Sequence, residues 1–67
     1  MLYTVKREPR ENHPGHSKVC LYLGERKVAV CKDGKINIKT TNTIPDEYLE
    51  ILTAEWAKVL AEEGPVG

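Results

Sequence analysis

The sequence predicts an α+β fold: a four-stranded antiparallel β-meander with one C-terminal amphipathic α-helix packed on one face, in the order β-β-β-β-α. Three observations predict it. Apolar and polar residues alternate through "KVCLYLGERKVAVCKDGKINIK", residues 18–39, the period of half-buried strands. Two glycine-bearing pairs, Gly24-Glu25 and Asp33-Gly34, interrupt that stretch where hairpin turns belong. After Pro45 the apolar period becomes that of a helix. A meander with one apolar face needs a cover, and this helix is the element able to supply it.

The first strand is expected over 2–7, "LYTVKR", with Tyr3 and Val5 on one side. Residues 8–17, "EPRENHPGHS", hold two prolines, a glycine and an asparagine and read as a loop. Within it, Pro14-Gly15 suits the centre of a type II turn. The second strand spans 18–23, with Val19, Leu21 and Leu23 on one face and Lys18, Cys20 and Tyr22 on the other. Gly24 at the first central position of a two-residue loop suits a type II′ turn. That turn pairs Leu23 with Arg26, Leu21 with Val28 and Val19 with Val30. The next turn has two solutions. A two-residue loop, Asp33-Gly34, puts Ile36 and Ile38 on the wrong face. A three-residue loop, Lys32-Asp33-Gly34, with the glycine as a bulge, pairs Val30 with Ile36 and Val28 with Ile38. A one-residue slip would expose every apolar side chain, so the pattern selects the bulge. Strands three and four are then 26–32 and 35–40. The pattern leaves open whether the first strand pairs beside the second or the fourth.

The helix is expected over 46–63. Pro45 suits a first helical turn, Asp46 and Glu47 sit near the positive end of the helix dipole, and Thr43 is the candidate capping residue. Gly64-Pro65 is a stop signal. At 100° per residue, Tyr48, Leu49, Leu52, Trp56, Val59 and Leu60 share one stripe. The expected core joins that stripe, less Tyr48, to Tyr3, Val5, Val19, Leu21, Leu23, Val28, Val30, Ile36 and Ile38.

The 67 residues fit one small domain, 1–67, with one thin core. A chain this size buries only about 60% of its unfolded surface, so a deep substrate pocket would consume that core. The reading is therefore of a binding module, not an enzyme. The formal net charge of zero hides a split. Residues 1–41 carry nine Lys or Arg and four acids, 9 − 4 = +5, and residues 42–67 carry one Lys and six acids, 1 − 6 = −5. Such asymmetry points to a polyanion-binding or partner-binding face, set against an ordinary solvated surface. There is no run of 18 apolar residues and no long apolar segment near the N-terminus, so neither a membrane span nor a signal peptide is expected. Two cysteines are too few for a disulfide scaffold, which points to a cytoplasmic protein with reduced thiols.

With the helix on one face, the predicted register leaves Lys18, Cys20, Tyr22, Lys27, Ala29, Cys31, Lys35, Asn37 and Lys39 on the other. Thr4 and Lys6 extend it, and no acid lies among these positions. Lysines neutralise phosphates and a tyrosine ring can stack a base, so Lys6, Lys18, Tyr22, Lys27, Lys35, Asn37 and Lys39 form the candidate nucleic-acid face. The rival use is protein contact or homodimerisation through the moderately apolar strip Cys20, Tyr22, Ala29 and Cys31.

His13, His16, Cys20 and Cys31 are all zinc-ligand types. Their spacing, H-x₂-H-x₃-C-x₁₀-C, is not that of a paired-ligand site, so no metal and no cofactor is expected. Cys20 and Cys31 are predicted to share a face as diagonal neighbours, about 7 Å apart at Cβ and too far for an unstrained disulfide. A Cys20–His16 catalytic pair lacks a third group and a pocket. Glu47, Glu50, Glu55, Glu62 and Glu63 read as the solvated face of the helix.

Overall fold

The computed structural model of the protein describes residues 2–65. Four strands, β1 (Tyr3–Pro9), β2 (Ser17–Leu23), β3 (Arg26–Lys32) and β4 (Lys35–Ile38), are followed by helix α1 (Asp46–Glu63). The strands form one antiparallel sheet in chain order, β1-β2-β3-β4. The first strand therefore lies beside the second. The helix packs principally over β2 and β3. No helix among the described residues is long and apolar enough to cross a membrane.

β1 runs two residues further than the sequence predicts, because Pro9 closes an edge strand opposite Ser17, a position where its missing N–H costs no ladder bond. The β1–β2 loop contains the expected turn. Gly15 has φ +84°, and His16 donates its N–H to the His13 carbonyl at 3.0 Å. Gly24 likewise has φ +64° while Glu25 does not take positive φ, as a type II′ turn requires.

Two corrections follow in β3. Leu23 pairs with Arg26 and Tyr22 with Lys27, but Leu21 pairs with Ala29, Cys20 with Val30 and Val19 with Cys31. Val28 is thus the extra residue of a β-bulge, and both Val28 and Ala29 turn to the helix side. The register shift displaces the pairs Leu21–Val28 and Val19–Val30. The β3–β4 connection is the two-residue Asp33-Gly34 turn, with φ +54° and +76°, the type I′ geometry. It pairs Cys31 with Ile36 and Ala29 with Ile38. A one-residue insertion is needed to bring the isoleucines to the helix side, and the chain makes it at Val28 rather than after Lys32. Ala29 and Cys31 consequently leave the open face, and Val30 takes their place there. β4 also stops at Ile38. Beyond it Lys39 donates its N–H to the carbonyl of Val28 at 2.8 Å, satisfying the bulge.

The buried core on the helix side comprises Val19, Leu21, Val28, Ala29, Cys31, Ile44, Leu52 and Val59, flanked by partly buried Tyr3, Val5, Leu23, Ile36, Tyr48, Leu49 and Trp56. Ile44 is an unforeseen member, held in place by the chain entering the helix. Leu60 and Ile38, expected inside, are 41% and 49% exposed, because β4 lies outside the main footprint of the helix. The helix starts at Pro45 without a side-chain cap, so Thr43 does not cap it. It ends at Gly64, φ +78°, whose N–H reaches the Leu60 carbonyl at 2.9 Å.

Three of the five glutamates expected on a solvated face instead tie the helix to the sheet. Arg7 reaches Glu62 at 3.1 Å and Glu55 at 3.4 Å. Glu63 accepts both the N–H and the hydroxyl of Ser17, at 2.6 and 2.8 Å. Tyr3 of β1 stacks on Tyr48 with ring centroids 4.2 Å apart.

Candidate nucleic-acid interface

Alternation along the strands decides which side chains share the face away from the helix. Thr4 stands opposite Tyr22, Lys6 opposite Cys20, and Glu8 opposite Lys18. Tyr22 faces Lys27, Val30 stands between Cys20 and Asn37, and Lys32 faces Lys35. Six of the seven candidate residues, Lys6, Lys18, Tyr22, Lys27, Lys35 and Asn37, are thereby brought to one face. Lys39 follows β4 and is exposed.

The face is not free of acid. Glu8, taken as a loop residue from the sequence, lies within β1 and is half-buried among the lysines. Its carboxylate accepts a hydrogen bond from the Tyr22 hydroxyl and another from Lys27 Nζ at 2.9 Å. Lys6 Nζ lies 5.0 Å from the centre of the Tyr22 ring and Lys27 Nζ 5.8 Å, within cation–π range. Tyr22 is thus held by its hydroxyl and attended by two ammonium groups, and it is not a bare platform for a base.

These contacts set the ionisation of the group. The Tyr22 hydrogen bond first, then Lys27, lowers the Glu8 carboxyl from 4.5 to about 2. In return, each partner's own hydrogen bond to Glu8 raises it, the Tyr22 phenol and the Lys27 ammonium alike. Cys20 lies beneath, fully buried yet outside the helix-side core. Burial first, then the charge of Glu8, pushes its thiol up. Val30, 5% exposed, shares this small polar-roofed layer.

Lys6, Lys18, Lys32, Lys35 and Lys39 form no ion pair among the described residues. At the loop end of the face, Arg10, Glu11, Asn12, His13, Lys18 and Lys32 line an open cleft of about 350 Å³. Arg10 is fixed there by a two-pronged pair with Asp33, at 2.9 and 3.2 Å, which joins the β1–β2 loop to the β3–β4 turn. Sequence reasoning passed over Glu8, Arg10 and Lys32. The signal for Glu8 was its place in phase with Lys6 and Thr4, which Pro9 obscured.

His13, His16, Cys20 and Cys31, the four zinc-ligand types, do not converge. The bulge sends Cys31 to the helix side and leaves Cys20 on the other, and both thiols are free. Among the described residues no three His, Cys, Asp or Glu side chains stand together as a metal site would require. Compared with protein-family models, curated proteins and solved structures, the chain matches none. What the fold and the face define is a small antiparallel sheet with one side roofed by a helix and the other lined by lysines.

Proposed function

We propose that this chain is a binding module that contacts a polyanion, foremost single-stranded nucleic acid, through the lysine-lined face of its sheet. The observation that carries the reading is charge. Lys6, Lys18, Lys27, Lys32 and Lys35 belong to that face, and Glu8 is the one carboxylate on it among the described residues, 5 − 1 = +4. Asn37 and Lys39 extend it. Lysines neutralise phosphates and release counterions, so affinity falls with salt, with a slope of about −0.7 per phosphate neutralised on a single strand. The reading rests on phosphate contact; stacking on Tyr22 requires Lys6 to swing off the ring. Binding of this kind tolerates many sequences and asks for no catalytic group. It places a binder, not an enzyme, in a cytoplasm where Cys20 and Cys31 stay reduced.

The test is a salt titration of binding to a short single-stranded oligonucleotide. Lys35→Glu with Lys39→Glu should abolish binding while the melting temperature holds, since both are exposed and neither forms an ion pair among the described residues. A chain that ignores both DNA and RNA at low salt overturns the reading.

A second reading has its own observation. Ile38 and Leu60 are 49% and 41% exposed, with half-buried Ile36 and Trp56 on the same two elements, which favours a protein partner or a homodimer along β4 and the adjoining helix flank. Light scattering on the intact protein and on Ile38→Lys distinguishes the two. A dimer dissolved by that change, with no oligonucleotide binding, makes the apolar flank the working surface.

A further inference from the structure

We infer that the loop end of the open face holds a discrete phosphate-binding site built on Lys18, Lys32 and Lys35, with the β1–β2 loop as its wall. The inference rests on the polyanion reading for its biological meaning but not for its geometry. Lys32 and Lys35 are direct cross-strand partners. The β2–β3 register that pairs Cys20 with Val30 and Val19 with Cys31 brings Lys18 opposite Lys32 at its next step. Three ammonium groups therefore cross three adjacent strands in one row. Like charges directly opposite one another on a sheet repel. The row could have been relieved by Glu8, which stands across from Lys18, but both of that carboxylate's oxygens are taken by Tyr22 and Lys27. The other nearby acid, Asp33, is gripped on both oxygens by Arg10.

The row ends in the cleft of about 350 Å³ that Lys18 and Lys32 share with Arg10, Asn12 and His13. Arg10 presents a rigid wall, because its side chain is only 10% exposed and its guanidinium is fixed. Glu11 is the one carboxylate of the cleft lining, and it is exposed. A tetrahedral oxyanion seated here takes ammonium donors from two strands at once, Lys18 of β2 and Lys32 of β3, with Lys35 next in the row. A phosphate dianion or a phosphodiester of a nucleic-acid strand supplies the same acceptor oxygens, so the ligand class is a phosphate group.

The experiment follows backbone amide shifts in the isotope-labelled protein as sodium phosphate replaces sodium chloride at constant ionic strength. Shifts at Lys18, Lys32, Lys35 and residues 10–13 that saturate together support the site. Shifts that stay linear or spread evenly over the surface overturn it. A second measurement protects the result. Lys32→Gln should raise the melting temperature in chloride, because it removes the middle charge of the row, and should lose the extra stabilisation that phosphate gives. Phosphate stabilises proteins generally by exclusion from their surfaces, so the comparison is with Lys58→Gln, which leaves the row intact and should keep the full response. Equal phosphate responses in the two variants overturn the inference. A competing oligonucleotide then separates the sources. If it displaces phosphate, the site lies on the nucleic-acid path. If phosphate saturates and the oligonucleotide does not bind, the site takes a small phosphate and only the polyanion reading fails. If the oligonucleotide binds without displacing phosphate from the row, the polyanion reading stands and the site takes a small phosphate apart from the nucleic-acid path.

Discussion

Cys20 and Cys31 lie on opposite faces of one sheet, 0% and 1% exposed, and they are dry for different reasons. Cys31 is under a helix, among Val19, Leu52 and Val59. Cys20 is under a canopy of Glu8, Tyr22, Lys6 and Lys27. The first cover is apolar contact, which has no charge to titrate and is insensitive to moderate salt. The second is a set of charge-assisted hydrogen bonds laid over two small buried residues, each of them weak at a surface. Equal burial therefore does not mean equal robustness. On one side of the sheet Cys31 is kept dry by apolar packing, and on the other Cys20 is kept dry by charge.

The helix side should give the largest effect. Leu52 is fully buried at the middle of α1, so Leu52→Ala should cost about 2–5 kcal/mol, read from urea denaturation. For so small a core that approaches the whole of its stability. An unchanged midpoint would mean the helix is not what keeps Cys31 dry.

The Val28 bulge sorts the cysteines to separate faces, and the two-residue turn at Asp33-Gly34 then brings Ile36 to the same side as Cys31. Gly34 sits at φ +76°, where a β-branched side chain is strained, so Gly34→Val should destabilise by about 1–3 kcal/mol. A neutral Gly34→Val would remove the tight turn, and with it the pairing of Cys31 with Ile36 on the helix side.

Removing the canopy's central charge should have a smaller, local effect. Glu8→Gln should cost about 1 kcal/mol and make Cys20 react with a thiol reagent several-fold faster, while Cys31 stays protected. Mass spectrometry of the labelled chain distinguishes the two sites. Equal protection of both thiols in the variant would show that the canopy covers nothing.

The smallest effect is one of pH. The folded Glu8 carboxyl, at about 2, lies below its ordinary 4.5. Its contribution to stability is complete above about 4.5 and is lost as pH falls through about 2. The Tyr22 phenol is raised above its ordinary 10, so its contribution is complete below 10 and is lost as pH rises through the folded value. Methyl resonances of Val30 should follow the acid step and lose it in Glu8→Gln, while those of Val59, beside the Arg7 pairs with Glu55 and Glu62, keep their own acid response in that variant. An unchanged Val30 step in Glu8→Gln would mean that Glu8 is not the group titrating there.

The helix and its span were legible because a long amphipathic period, two early acids and a Gly-Pro stop all agree, although Thr43 does not cap it. The strands and their order in the chain were legible for the same reason. The bulge was not, because Val28-Ala29-Val30-Cys31 carries no polar residue to mark which side is out, and two registers satisfy it equally. The conflict it causes did surface: Asp33-Gly34 is a two-residue hairpin signal, yet with an unbulged β3 that turn misplaces Ile36 and Ile38. One extra residue resolves the conflict at either hairpin, and only the three-dimensional structure says which. The lysines of the open face were legible as a charge pattern. Glu8 was lost because Pro9 reads as a strand breaker in the interior of a sheet, but not at the end of an edge strand.

The order of the elements carries a consequence for synthesis. All four strands precede the helix that roofs them. The meander can pair as it emerges, since each strand bonds to its neighbour in the chain, but Val19, Leu21, Ala29 and Ile36 have no cover until Leu52 and Val59 have been made. Until then the sheet has one greasy side and one charged side, and the lysines oppose its sticking to other chains. A chain cut short between residues 39 and 52 would leave that apolar side without its roof.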